Sequence, residues 1–240
     1  KNYLARNLMK MQRAFPAEYK FFPKTWLIPQ EATDFRKQFV DANGKPLQKK
    51  KTYIVKPEGL SQGQGIYLSR NCERMIENCT AEGGYIVQDY LDKPHLVDDL
   101  KYDLRIYVLL YGINPMRIYI HEQGIARFAT EPYVAPKASN LDNLFMHLTN
   151  YAINKTNAAF KQNLGGGGKG GVPASEEESE EGEEGSEEEE SGHKRSLNAI
   201  LKLLYEQGAD PDRIMDEIKD IVVKTLIVGQ PYMSHIYRSC

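Results

Sequence analysis

The sequence predicts an α+β fold, and three features of its patterning carry that prediction. Helical spacing of apolar residues opens the chain. Short runs of β-branched and aromatic residues fill its middle, and helical spacing returns only after a glycine-rich and acidic tract. Strands early and helices late is the order of an α+β domain rather than an alternating βαβ chain.

Taken in order, Leu4, Leu8, Met11 and Phe15 share one helical face. The stretch from Phe21 to Pro29 is expected to be extended, because each proline biases its predecessor away from helix. A second helix is expected over 30–40, ended by the turn Asn43-Gly44. Strands are expected at 52–55, 66–68, 85–90, 104–111 and 116–121, the last two joined by Gly112-Ile113-Asn114-Pro115 as a hairpin, with a further strand over 125–130. From 163 to 192 the chain turns to glycine and then glutamate. Neither buries apolar surface, so a disordered insert, dispensable for folding, is expected there. Leu197, Ile200, Leu201 and Leu204 mark a helix stopping near Gly208. Asp210 then caps another that opens on Pro211 and buries Ile214, Ile218, Ile221, Val222 and Leu226.

A chain of 240 residues with 41% apolar and 27% charged residues is that of a soluble globular protein, and no apolar run reaches the roughly 18 residues of a membrane span. The opening Lys1-Asn2-Tyr3-Leu4 has neither Met nor signal-peptide layout and reads as an internal fragment. Cys72, Cys79 and Cys240 form an odd, unpatterned set, expected to be reduced thiols in a cytosolic setting and too few for zinc. Eleven of the 33 acidic residues lie in Ser175 to Gly192; outside it 31 basic residues face 22 acidic ones. That basic body points to an acidic partner or a phosphorylated ligand, or is simply a solvated surface. Nucleic acid is not expected as a partner, since no recognition motif accompanies the charge.

Three segments carry candidate chemistry. In Tyr53-Ile54-Val55-Lys56-Pro57-Glu58-Gly59-Leu60-Ser61-Gln62-Gly63-Gln64-Gly65-Ile66 a strand ends in a lysine and a glycine loop follows. Backbone N–H groups at such glycines approach phosphates closely, while the lysine supplies a cation. It is neither a Walker loop nor a Rossmann fingerprint, and a glycine-rich hairpin is the plain alternative. In Lys101-Tyr102-Asp103-Leu104-Arg105 the charged residues alternate onto one strand face, lining either a ligand or solvent. In His147-Leu148-Thr149-Asn150-Tyr151-Ala152-Ile153-Asn154-Lys155, Thr149 and Asn150 offer neutral oxygens to phosphate or hydrated Mg²⁺, or else cap a turn.

With FPKTWLIP, YIVQDYL, RFATEPY, HKRSL and the late IVVKTLIVGQPYMSHIYRSC, these segments resemble, in order, the tubulin tyrosine ligase-like family, and more its polyglutamylases than its tyrosine ligase or glycylases. The resemblance implies an ATP-grasp-type fold, incomplete at both ends. Its parts would be a helical and linker part over 1–50, a nucleotide-binding core over 51–162, the insert over 163–192, and a helical part over 193–240. It implies an ATP-dependent ligase that adds free glutamate to glutamate side chains of tubulin tails through an acylphosphate. ATP and Mg²⁺ would be its cofactors, and it would act in the cytoplasm on microtubules, including those of cilia and basal bodies. Lys56 would contact the phosphates under a loop carrying Gln62 and Gly63, and Gln88, Asp89, Tyr90 and Leu91 would read adenine mainly through backbone groups. Lys101 and Asp103 would hold the nucleotide, Arg105 would lie near the γ-phosphate, and Thr149 and Asn150 would reach the phosphates or their metal. Arg127, Tyr151 and Lys194 would hold the incoming glutamate, and Arg105 and Arg127 would be the catalytic residues. The family's metal ligands, an Asp and a Glu-x-Asn motif, are expected beyond Cys240. Without them a non-catalytic tubulin- or nucleotide-binding remnant is the rival reading, and a glycylase or tyrosine ligase is the other.

Overall fold

Short strands rich in apolar residues build two four-stranded antiparallel sheets, seen in a computed structural model that describes residues 1–48, 51–81, 83–161 and 192–238. The expected disordered insert lies outside the described residues except for Gly192. The first sheet comprises β1 (Thr25–Ile28), β2 (Tyr53–Pro57), β3 (Tyr67–Ser69) and β4 (Tyr85–Asp89), in the order β1-β4-β2-β3. One face carries Trp26, Ile28, Tyr53, Val55, Tyr85 and Val87. It packs on Phe35 of α2 (Ala32–Arg36) and on Met75, Ile76 and Cys79 of α3 (Cys72–Ala81). Because side chains alternate, Ile54 and Lys56 emerge on the other face, together with Gln88, the register partner of Ile54.

The second sheet comprises β5 (Leu96–Val97), β6 (Leu100–Arg105), β9 (Ile125–Phe128) and β10 (Lys194–Ser196), in the order β10-β9-β6-β5. Tyr102, Leu104, Ala126 and Phe128 pack against Ile200 and Leu204 of α6 (Leu197–Glu206). The opposite parity leaves Lys101, Asp103, Arg105 and Arg127 on the face away from α6, with Arg127 paired in register to both Asp103 and Lys194. Between β6 and β9 stands a separate hairpin, β7 (Val108–Ile113) with β8 (Met116–Ile120).

Two expectations over these segments are corrected. A single strand over 104–111 is instead two, β6 and β7, because the partner strand β9 begins at Ile125 opposite Arg105 and offers no ladder further on. Gly124, just before β9, sits so close that an added Cβ would stand 2.8 Å from the Arg105 carbonyl oxygen. The helix over 30–40 shortens to α2 and a 3₁₀ turn over Lys37–Phe39. Helix α3 and the short α4 (Leu144–His147) and α5 (Tyr151–Asn154) were not anticipated.

The terminal helices form where expected, but the last one does not bury the expected residues. Ile221 is exposed and Ile214, Ile218, Val222 and Leu226 are only half-buried, because the helix packs on the N-terminal one through Val228. α1 (Asn2–Ala14) buries Leu8 against Tyr19 and against Val228 of α7 (Pro211–Arg238). Asp210 caps α7 by accepting from the Asp212 and Arg213 amides at 3.1 and 3.2 Å. Among the described residues no helix is long and apolar enough to cross a membrane.

Candidate active site

The inner faces of the two sheets converge on a line of cations. Lys56 Nζ donates to Gln88 Oε1 at 2.8 Å, and Gln88 Nε2 donates to Thr25 Oγ1 at 2.8 Å, a chain fixed by the β1-β4-β2 register. Burial, and then Lys1, lower the Lys56 pKa from its ordinary value. Lys101 Nζ donates to the Tyr90 hydroxyl and to the His147 carbonyl, both at 3.0 Å, and lies 4.4 Å from the Tyr90 ring centre. Burial, helped by the charge of Lys56 and opposed by Asp103, pulls the Lys101 pKa down to about 8. Both ammonium groups therefore rest on neutral oxygens in a desolvated setting, an arrangement that an anion would complete.

Desolvating Lys101 makes stability depend on pH. The folded value of about 8 lies below the ordinary 10.5, so between them the unfolded chain holds more protons and stability rises with pH. The cost of the buried charge is fully present below pH 8. Lys56 acts in the same direction. Near pH 10 the trend reverses, because burial raises the Tyr53 and Tyr90 phenol pKa values and ionisation there favours the unfolded chain. We expect the melting temperature of the ligand-free protein to rise from pH 7.5 to 9.5, and a polyanionic ligand to flatten that rise. A fall over the same interval in differential scanning fluorimetry would contradict this.

The second sheet continues the line. Arg127 grips Asp103 with Nε and Nη2 at 2.9 and 2.8 Å, and the Thr149 hydroxyl donates to the same carboxylate. Beside them a cavity of about 350 Å³ is lined by Arg105, Arg127, Thr149, Tyr151 and Lys194. Tyr107, Phe128, Phe160 and His193 add an aromatic wall that sequence reasoning missed. His193 stacks on Phe160 with ring centres 5.6 Å apart, and Tyr151 meets Phe160 edge-on. His193 Nδ1 accepts from the Lys161 amide at 3.0 Å, which leaves Nε2 to carry the ring proton.

The residues singled out in the sequence fall into two neighbouring groups. Lys56, Gln88, Tyr90 and Lys101 form the first; Arg105, Arg127, Thr149, Tyr151 and Lys194 line the second, with Asp103 behind it. The glycine loop ties to the second group. Gln62 and Gly63 have φ of 57° and 91°, and a Cβ on Gly63 would stand 2.7 Å from Ile153 Cδ1 and 3.1 Å from Asn150 Cγ. Asn150 caps α5 through its carbonyl, which accepts from the Ile153 and Asn154 amides. Asp89 stands apart from Lys56: it pairs with Tyr53, so its side chain lies on the α3 side of the sheet. The Asp89 and Tyr90 amides donate to Lys24 and Thr52 carbonyls, leaving carbonyls and the exposed Leu91 for any ligand at this strand end.

Asn154 was also missed. Its side chain is buried and accepts from the Thr130 amide and hydroxyl at 2.9 Å while donating to the Leu148 and Asn150 carbonyls. It locks α5 onto the strand end after β9. The spacing of Asn150 and Asn154, one helical turn, was the available signal.

Two antiparallel sheets with helices packed on them, meeting at a seam of partly buried lysines and arginines, define the chain as an α+β protein. The sequence pattern of the tubulin-tyrosine ligase family matches residues 1–183. A probable beta-tubulin polyglutamylase of Tetrahymena thermophila is 45% identical over all 240 residues, which cover 18% of that relative. Tubulin polyglutamylase TTLL7 of Mus musculus is 37% identical over the whole chain and 23% of its own length. Tubulin polyglutamylase TTLL13 of Homo sapiens is 39% identical, again across the whole chain and 25% of its length. The chain belongs to the tubulin-tyrosine ligase family, and it spans about a fifth to a quarter of the length of these relatives.

Proposed function

We propose that the chain carries the nucleotide and amino-acid sites of an ATP-dependent ligase of ATP-grasp type that extends acidic tubulin tails with glutamate. The observation that carries this reading is the seam itself. Lys56 and Lys101 wait on neutral oxygens at one end, and a cavity with Arg105, Arg127 and Lys194 opens at the other. A polyphosphate and a carboxylate-bearing amino acid would therefore find adjoining groups of matching charge. The similarity to polyglutamylases favours glutamate as that amino acid.

The residues present fit ATP. Lys56 and Lys101 would hold its phosphates, the loop of Gln62 and Gly63 would cover them, and the 88–91 strand end would receive the base through backbone carbonyls. ATP would supply the phosphoryl group that activates the acceptor carboxylate as an acylphosphate. Arg105 would stabilise negative charge at the transfer point, while Arg127, Tyr151 and Lys194 would orient the incoming amino acid. Magnesium has no comparable seat among the described residues. No group of three or more His, Cys, Asp or Glu among them is placed to hold a metal, and Asp103 is occupied by Arg127 and Thr149. The basic body would attract tubulin tails, with affinity falling as salt rises.

The test is mass spectrometry of tubulin tails after incubation with the full-length protein, ATP and each of glutamate, glycine and tyrosine. Glutamate-dependent mass additions support the reading, and additions with another amino acid alone overturn it. The loop's part has its own test. Gly63→Ala places a Cβ against Ile153 at a positive φ and is expected to weaken ATP binding roughly tenfold. Gly59→Ala, which meets open space, leaves affinity unchanged in the same titration.

A further inference from the structure

His147 is fully buried, and all of its polar contacts lead toward Lys101 or anchor the ring. Its Nε2 lies 3.0 Å from the Asn140 carbonyl, which can only accept, so Nε2 carries the ring proton. Nδ1 is then an acceptor, 3.1 Å from the Tyr90 hydroxyl and closer to it than the His147 carbonyl, at 3.4 Å. With its proton drawn toward Nδ1, the Tyr90 oxygen presents lone pairs to Lys101 Nζ at 3.0 Å. The His147 carbonyl takes a second N–H of the same ammonium at 3.0 Å. An ammonium has three N–H bonds, so one remains for a ligand. The Tyr90 and Tyr133 rings meet the imidazole edge-on at 5.6 and 5.8 Å, which fixes the ring's orientation.

We infer that His147 is a positioning residue for Lys101. It sets the direction of the Tyr90 hydroxyl and supplies a carbonyl, so that the lysine is held charged with one N–H left for a phosphate oxygen. The inference rests on the reading of Lys101 as a phosphate-binding group. It adds that the group's aim and charge are set by a histidine that touches no ligand. The arrangement requires a neutral imidazole, since an Nδ1–H would compete with Lys101 for the Tyr90 oxygen. Burial lowers the His147 pKa in that sense. The other ionisable groups facing Lys101 are Lys56 and Asp103, from β2 and from its own strand, while Tyr133 and Asp92 face the Tyr90 hydroxyl.

The experiment measures ATP affinity from pH 6.5 to 10 for the full-length protein, for the single variants His147→Phe, His147→Asn and Tyr90→Phe, and for the double variant that combines His147→Phe with Tyr90→Phe. His147→Phe keeps the ring and the backbone carbonyl but removes Nδ1, so the Tyr90 hydroxyl proton is no longer held away from Lys101; an ammonium facing a less well oriented acceptor binds its proton less tightly. The expected result is a roughly tenfold loss of affinity at pH 7 and a downward move, of about one pH unit, in the pH at which affinity fades. Tyr90→Phe gives the same move, the double variant adds nothing further, and His147→Asn, whose amide oxygen can stand near Nδ1, restores most of it. If His147→Phe fails to fold, His147→Leu takes its place in the same comparison with Tyr90→Phe and the double variant. An unmoved midpoint, or additive losses in the double variant, overturns the inference. Unchanged ATP affinity in Lys101→Ala would instead remove the phosphate-binding reading on which it rests.

Discussion

Lys56→Met is expected to abolish measurable ATP binding and at the same time to raise the melting temperature of the ligand-free protein. The two effects have one cause. Lys56 stands at the end of β2 on the inner face, its ammonium resting on the Gln88 amide oxygen, and burial lowers its pKa. Without a ligand that charge is desolvated against a neutral oxygen, so an apolar side chain of similar reach relieves a cost. With phosphate present the same charge makes hydrogen bonds that are about twice as strong as neutral ones. Losing two such contacts lowers affinity by about a hundredfold or more. Lys56→Arg should fare little better than Met, since a planar fork does not reproduce a point charge seated against Gln88. Isothermal titration beside thermal melts reads both signs. Near-native affinity in the folded Met variant would remove Lys56 from the site, and a lowered melting temperature would show that its role is structural.

The inner-face groups were legible from the sequence because a strand has a period of two. Lys101, Asp103 and Arg105 share a face for that reason alone, and the structure keeps them on it. What the period does not give is the partner. Nothing in Asp103's neighbourhood says that Arg127 lies opposite in register, or that Thr149, 46 residues on, donates to the same carboxylate. The aromatic wall was hidden for a similar reason. Phe160 and His193 stand at either side of the glycine and acidic tract, and a pairing across 32 residues of such composition leaves no periodic trace. The strand break at Ile106–Tyr107 was missed because Leu104, Ile106 and Val108 continue the apolar alternation without pause. Only the position at which β9 begins ends the ladder. His147 shows the limit most plainly: its part depends on Tyr90, Lys101 and Asn140, which arrive from three other segments.

The pairing of Arg127 with Asp103 sets two roles against each other, and mutation separates them. Arg127 was expected to hold the incoming amino acid, yet Nε and Nη2 are both engaged by Asp103, leaving Nη1 and the cavity-facing edge of the guanidinium for a ligand. The two side chains keep 25% and 34% of their surface, so the pair is screened, and breaking it costs less than a fully buried one would. Arg127→Met should lower stability by about 1 kcal/mol, a melting shift of about 2–4 °C. It leaves the Asp103 carboxylate with the Thr149 hydroxyl as a donor but without its cation. Asp103→Asn on that background removes the stranded charge and should recover most of the stability. Glutamate binding behaves differently if the guanidinium also reaches the substrate carboxylate. The double variant should then remain at least about tenfold weaker in KM for glutamate, because a charge-assisted contact to the ligand is still missing. Steady-state kinetics of the full-length enzyme beside thermal melts read the two quantities independently. Recovery of KM together with stability would show that Arg127 serves only to hold Asp103, and would move the carboxylate-binding role to Arg105 and Lys194 on the same cavity wall.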